Sequence, residues 1–195
     1  MSRKVYPFKR AITRSIGFTF ASASGGHGID FKMDQLPAYT EFISLFDEYK
    51  LYGVKLHFRP LFNSQQAYDR VGSTQNLVRM PRIHYAFDGT SIDIPGSVGA
   101  IQQYSTYDTW TCLQSRKKFI KVNPTAELYR SSVSTSYARI ASPFIECTTT
   151  GCGTPHYGVK LYFENPDAAN WSSLIGAQEV YELVCTYYFK TRTIQ

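Results

Sequence analysis

Leu45–Pro60, LFDEYKLYGVKLHFRP, decides the fold. From Tyr52 onward, Tyr52, Val54, Leu56 and Phe58 alternate with Gly53, Lys55, His57 and Arg59. This period of two sends successive side chains to opposite sides of a sheet. The run predicts a half-buried strand with one apolar and one basic face, and Pro60, which has no N–H for a ladder, ends it. Polar outer faces are ordinary in antiparallel sheets, so the basic face alone names no function.

The same alternation recurs outward from this strand. Ile12–Phe20 reads as a first strand and Gly25–Gly28 as a break, after which Ile29, Phe31 and Met33 alternate with Asp30, Lys32 and Asp34. Asp34 or Gln35 then opens a short helix with Pro37 in its first turn, and Tyr39, Phe42, Ile43 and Phe46 fall on one helical face. Further on, Ile83, Tyr85 and Phe87 share one strand face. In SRKKFIKVNP (115–124), Lys118, Ile120 and Val122 oppose Lys117, Phe119 and Lys121. Ile140–Cys147 reads as a short strand, Tyr157–Phe163 as another, and Tyr181–Phe189 as the strongest of all. The polar stretches 63–76, 93–109, 131–137 and 148–155 read as loops, the second with at most two helical turns. About eight strands with long, uneven connections predict an all-β fold. The expected architecture is an eight-stranded single jelly roll of two packed antiparallel sheets, with a short helix between the second and third runs.

The 195 residues, 43% apolar and 15% aromatic, suffice for one core. The formal charge of +6 is unevenly placed. Arg3, Lys4, Lys9, Arg10 and Arg14 precede any acid, whereas the rest of the chain carries 16 basic against 15 acidic side chains. The expected division is a basic N-terminal arm, 1–14, and a jelly-roll domain, 15–195. Such an arm either holds phosphate by releasing condensed counterions or is simply a solvated terminus. Lys117 and Lys121 around Phe119 could likewise hold phosphate and stack a base, or only shield an edge strand.

No membrane-length apolar segment is present, and the chain is expected to be soluble. Cys112, Cys147, Cys152 and Cys185 are expected as free thiols, with a Cys147–Cys152 disulfide as the alternative. His27, His57, His84 and His156 lack any hydrolase, metalloprotease or zinc spacing, and no phosphate-loop signature occurs. The chain therefore reads as a non-enzyme without cofactor or metal.

The succession DFKMDQLPAYTEFISLFDEYKLYGVKLHFRP (30–60) resembles the capsid proteins of circoviruses and related Rep-encoding circular single-stranded DNA viruses. In that group an LFD-x-Y helix end precedes a strand of the form Y-K/R-I/L-x-x-V-x-V/L-x-F-x-P. Phe46, Asp47, Tyr49, Lys50, Leu51, Val54, Leu56, Phe58 and Pro60 match it. The resemblance implies a jelly roll that self-assembles into a small icosahedral shell, T=1, around circular single-stranded DNA. It also implies a virion location, with assembly in the host nucleus and Arg3, Lys4, Lys9, Arg10 and Arg14 on the genome. Group members usually begin with a denser arginine-rich arm, which directs attention to body residues such as Lys117, Lys118 and Lys121, with Phe119 between them, as further contacts. Lys55, His57 and Arg59 either line the inner surface near the genome or meet an acidic neighbour at a subunit contact. Deleting residues 1–14 is expected to abolish packaging and leave the domain folded. Two other readings share the architecture. One is a carbohydrate-binding module using Tyr104, Tyr107, Trp110 and Trp171, and the other is a satellite-type RNA virus capsid.

Overall fold

The computed structural model describes residues 4–62, 79–91, 93–122, 125–130, 135–139 and 144–193. Within them lie β1 (Val5–Ser15), β2 (Gly25–Phe31), α1 (Tyr39–Leu45), β3 (Glu48–Pro60), β4 (Arg82–Phe87), α2 (Val98–Gln102), β5 (Asp108–Thr111) and β6 (Arg116–Ile120). There follow β7 (Thr125–Arg130), β8 (Thr135–Arg139), β9 (Ile145–Glu146), α3 (Thr149–Cys152), β10 (His156–Glu164), α4 (Ala168–Leu174) and β11 (Tyr181–Arg192).

Eight strands form two antiparallel sheets, in the orders β1-β11-β3-β6 and β2-β10-β4-β5. The short β9 adds to the start of β3, while β7 and β8 form a hairpin of their own. Aromatic side chains close the space between the sheets: Phe58 on Trp110 at 5.3 Å, Phe31 on Tyr187 at 5.9 Å and Phe18 on Phe163 at 5.0 Å. This is the jelly roll that the strand pattern predicts, with its chain crossing between sheets.

Four local expectations are corrected. First, the opening strand begins at Val5 rather than Ile12, so most of the segment expected as an arm is in the sheet. It pairs with β11 in unbroken register from Val5↔Arg192 to Ser15↔Glu182. Phe8 stacks on Phe189 at 5.5 Å and meets Phe42 edge-on at 5.3 Å. Second, Gly25–Gly28 belongs to β2 rather than breaking it. The Pro95 carbonyl lies where a Gly26 side chain would be, 2.2 Å from an ideal Cβ, so glycine there admits a close crossing of the 93–97 segment.

Third, the helix is in two pieces. A 3₁₀ turn at Met33–Gln35 stops because Pro37 disfavours helical geometry at Leu36, which is extended at φ −80°, ψ 141°. After Ala38, at φ 57°, α1 starts afresh and buries Phe42. Fourth, a bulge interrupts β3, since Tyr188 pairs with Gly53 and Phe189 with Leu51, leaving Tyr52 without a partner. Tyr52 therefore leaves the apolar face assigned to it by simple alternation and points outward beside Tyr188, at 6.3 Å between rings.

β5, the β7–β8 hairpin, α3 and α4 also go beyond the expected elements. Of the strand expected at 140–147 only β9 lies in the described residues, and the expected loop at 63–76 falls wholly outside them. All four cysteines are buried free thiols.

Candidate nucleic-acid interface

β3 contributes Lys50, Tyr52, Lys55, His57 and Arg59 to the solvent side of the first sheet, and β6 contributes Lys117 and Phe119. β11 adds Glu182, Tyr188 and Lys190, and β1 adds Lys9. The registers join them: Lys9 opposes Tyr188, Lys190 opposes Lys50, Lys55 opposes Phe119 and His57 opposes Lys117.

An aromatic row crosses the middle of this face. Phe119 is 56% exposed, and its ring stands edge-on to Tyr188 at 5.9 Å. It fits because residue 53 is glycine: a Cβ there would lie 2.6 Å from Phe119 Cζ. Tyr188 continues to Tyr52, and ammonium groups flank the row, Lys9 Nζ 5.9 Å from the Tyr188 ring and Lys190 Nζ 5.7 Å from that of Tyr52. Such contacts are attractive through the ring quadrupole yet leave the cations free for an anion.

Acid is scarce on this face, and Glu146, exposed opposite Glu48 on β9, stands at its margin. Glu182 takes Arg59 at 3.2 Å, and Glu48 takes Arg192. Among the described residues Lys9, Lys50, Lys55, Lys117 and Lys190 make no ion pair. His57 Nε2 lies 3.0 Å from Ser115 Oγ, and Arg59 Nε donates to Nδ1 at 3.4 Å. Desolvation, followed by the charges of Lys117, Arg59 and Lys55, holds the His57 ring below its ordinary range, so it is neutral at pH 7.

The residues singled out in the sequence are thus divided. Lys9, Lys55, His57, Arg59, Lys117 and Phe119 share this face. Lys121 is exposed one residue beyond β6, and Lys4 is exposed at the start of β1, 5.5 Å from the Tyr6 ring. Arg10 and Arg14 lie on the other side of β1. The Arg10 guanidinium sits over Phe42 at 5.7 Å, while Arg14 donates to the Asp30 carbonyl at 3.0 Å and to Gln35 Oε1 at 3.3 Å. Arg3 lies outside the described residues. Lys118, paired with Asp108 at 2.6 Å, faces away from the row.

Tyr52, Tyr188, Lys50 and Lys190 complete the face and were not among the sequence candidates. The alternation of the last strand carried a signal for Tyr188, because it puts that residue opposite the core set. Arg14→Gln is expected to lower stability by about 1–3 kcal/mol, since a charged donor to a carbonyl and a carboxamide is lost, with no change in oligonucleotide affinity. Urea unfolding alongside a binding titration checks both.

Of the platforms expected of a carbohydrate module, the two tryptophans are buried, whereas Tyr104, with Lys160 Nζ 5.5 Å from its ring, and Tyr107 are half-exposed. Trp110 is 3% exposed and packs on Phe58, and Trp171 is fully buried with its indole N–H donating to the Arg79 carbonyl at 2.9 Å. Tyr107 is bonded to His84 at 2.9 Å.

Comparison with known families gives one match over the entire chain: the family model of the circovirus capsid protein covers residues 1–195. The chain belongs to the circovirus capsid protein family. It is a viral capsid protein, a structural component of a virion. Among solved structures, the 60-mer BFDV capsid protein superposes with a TM-score of 0.59 at 14% identity, covering 99% of this chain and 96% of that one. Its decameric form gives 0.53 at 14% identity, covering 98% and 100%. A chain of the tobacco necrosis virus structure gives 0.55 at 10% identity, covering 100% and 98%. At these identities the likeness concerns the fold, and it spans nearly all of this chain. No curated protein matches the sequence.

Proposed function

We propose that this capsid protein assembles with copies of itself into a T=1 icosahedral shell and encloses circular single-stranded DNA against the basic, aromatic face of its first sheet. The observation that carries the reading is the juxtaposition of Lys9, Lys55, His57, Arg59, Lys117 and Phe119, with Tyr52 and Tyr188, on one continuous surface. Lysines neutralise phosphates, and rings accept unstacked bases without regard to sequence, which is the chemistry of single-strand binding. Arg59 contributes once its exposed pairing with Glu182 is exchanged for phosphate, an exchange of low cost for an exposed pair. Lys4 and Lys121 extend the charge at the margins, and nuclear assembly is part of the same reading. The 60-mer assembly of the BFDV relative supports a shell of sixty subunits.

The test is expression of the full chain and of Lys9→Gln/Lys55→Gln/Lys117→Gln. Electron microscopy is expected to find small isometric particles with both proteins. Nuclease-protected nucleic acid should fall at least tenfold in the triple variant, and the salt slope of oligonucleotide binding should drop by about 2, near 0.7 per phosphate contact on a single strand. Equal packaging by the two proteins would sink the assignment of this face. Protected material digested by RNase and resistant to DNase would replace DNA with RNA.

A further inference from the structure

We infer that the cleft between Lys50 and Lys190 is a nucleotide subsite, with phosphate held by the two ammonium groups and a base laid against Tyr52 and Phe144. The inference rests on the interface reading above and specifies one position within it. The cleft, about 330 Å³, lies at the β1 end of the face and is lined by Val5, Lys50, Tyr52, Phe144 and Lys190. This reaches the lower end of the range of small-molecule sites, about 300–1,000 Å³, and a single mononucleotide is small enough to occupy it.

Three features of the cleft point to an anion with a flat apolar part. Lys50 and Lys190 are register partners on β3 and β11, on the same side of the sheet. Like charges directly opposite each other are destabilising. Among the described residues neither lysine makes an ion pair: nearby Glu48 is held by Arg192, and the exposed Glu146 opposite Glu48 on β9 lies beyond ion-pair distance of both. A phosphate bridging the two ammonium groups would remove the repulsion.

The second feature is the aromatic lining. The β3 bulge turns Tyr52 out of the core register and into the cleft wall, with Lys190 Nζ 5.7 Å from its ring. Phe144 lines the same cleft, and the Arg192 guanidinium covers its ring at 4.1 Å. A bulge that re-aims one side chain is a recurrent device beside binding sites. The third feature is continuity: from Tyr52 the aromatic row runs on through Tyr188 to Phe119, so a strand anchored in the cleft has rings for its neighbouring bases. Free phosphate would make no use of the rings, and a sulfated polysaccharide has no π-face to stack.

Deoxyadenosine 5′-monophosphate titrated against the full chain by ligand-observed NMR tests the subsite directly. Saturable binding is expected in the wild type. It should weaken at least tenfold in Lys50→Gln/Lys190→Gln and at least fivefold in Tyr52→Leu, the lower bound for loss of a base–aromatic stack. The charge-matched Lys32→Gln/Arg82→Gln control should bind as the wild type does, and circular dichroism should be the same for all four proteins. The subsite is overturned by any of three results: no binding in the wild type, a double variant within twofold of it, or displacement by inorganic phosphate as effective as by the nucleotide. Tighter binding of a heparin-type oligosaccharide with no nucleotide binding would reassign the cleft to sulfated glycan. An oligothymidylate titration separates the two claims, since failure there with mononucleotide binding intact removes the interface reading and leaves the subsite.

Discussion

Deleting residues 1–14 is expected to unfold the jelly roll as well as remove five positive charges. The cut takes all of β1 but Ser15, and with it the partner that β11 holds from Leu183 to Arg192. Phe8 leaves its stack on Phe189 and its edge contact with Phe42, and Ile12 leaves the core margin. The Arg14 hydrogen bonds to the Asp30 carbonyl and Gln35 disappear as well. Truncating one buried phenylalanine costs about 3–5 kcal/mol, and a domain is stable by only about 5–15 kcal/mol. Loss of a whole strand therefore exceeds the margin, and it also bares a long β11 edge as a template for aggregation. Insoluble protein, or soluble protein without a cooperative urea transition, is the expected result. A truncated chain that melts cooperatively near the wild-type midpoint would make β1 dispensable. Lys4→Gln/Lys9→Gln should melt with the wild type, because those side chains point to solvent.

Acid should weaken the fold well above the pH at which carboxylates titrate. His156 is fully buried on β10, with Nδ1 3.2 Å from the Phe31 carbonyl and no partner for Nε2. The carbonyl requires the proton on Nδ1, so Nε2 is a bare lone pair in a buried site. A second proton would place an uncompensated charge there. Burial accordingly pushes the group down to about 4, outweighing the Phe31 and Thr154 carbonyls and Asp30, which act the other way.

The folded value lies below the unfolded value of about 6.5. The unfolded chain thus binds the extra proton first, and stability present above pH 6.5 is lost as pH falls toward 4. At about 1.4 kcal/mol per unit the loss approaches 3 kcal/mol. His27 acts in the same direction, lowered by burial and then by Arg14. Asp88, held down to about 2 by Thr90 and Lys160, adds its loss only below about pH 4. Urea midpoints at pH 7, 5.5 and 4 should fall steadily in the wild type and much less in His156→Leu. Parallel slopes for the two proteins would assign the acid sensitivity elsewhere.

Much of this was legible in the chain because β3, β6, β10 and β11 are half-buried, and a half-buried strand writes its two faces as alternation. The start of β1 was hidden by Arg10 and Arg14, which occupy core-side positions at a sheet edge. One is tolerated over Phe42 and the other through its bonds to the 30–35 segment, neither of which is a local property. Gly25–Gly28 read as a break because the reason for those glycines, the crossing at Pro95, lies far away in sequence. Tyr52 was placed on the wrong face by the bulge, which is defined only by pairing with β11. α4 escaped notice since AANWSSL offers only Trp171 and Leu174 as apolar anchors. The site followed the same division: Lys55, His57, Arg59, Lys117 and Phe119 were readable strand by strand. Their union with Lys9, Tyr188 and Lys190 depends on which strands are neighbours.

The pairing of β1 with β11 also sets a timetable for the protein's synthesis. During translation the first strand emerges long before its partner among the described strands, Tyr181–Arg192. Until those residues leave the ribosome, Phe8 and Ile12 lack the β11 edge they pack along, and the nascent chain carries an unpaired first strand while the intervening strands are made. Closure of so large a loop is slow compared with local pairing, so the first sheet is completed only after β11 has emerged. Subunits cannot dock through a finished sheet before then, which separates folding from shell assembly in time.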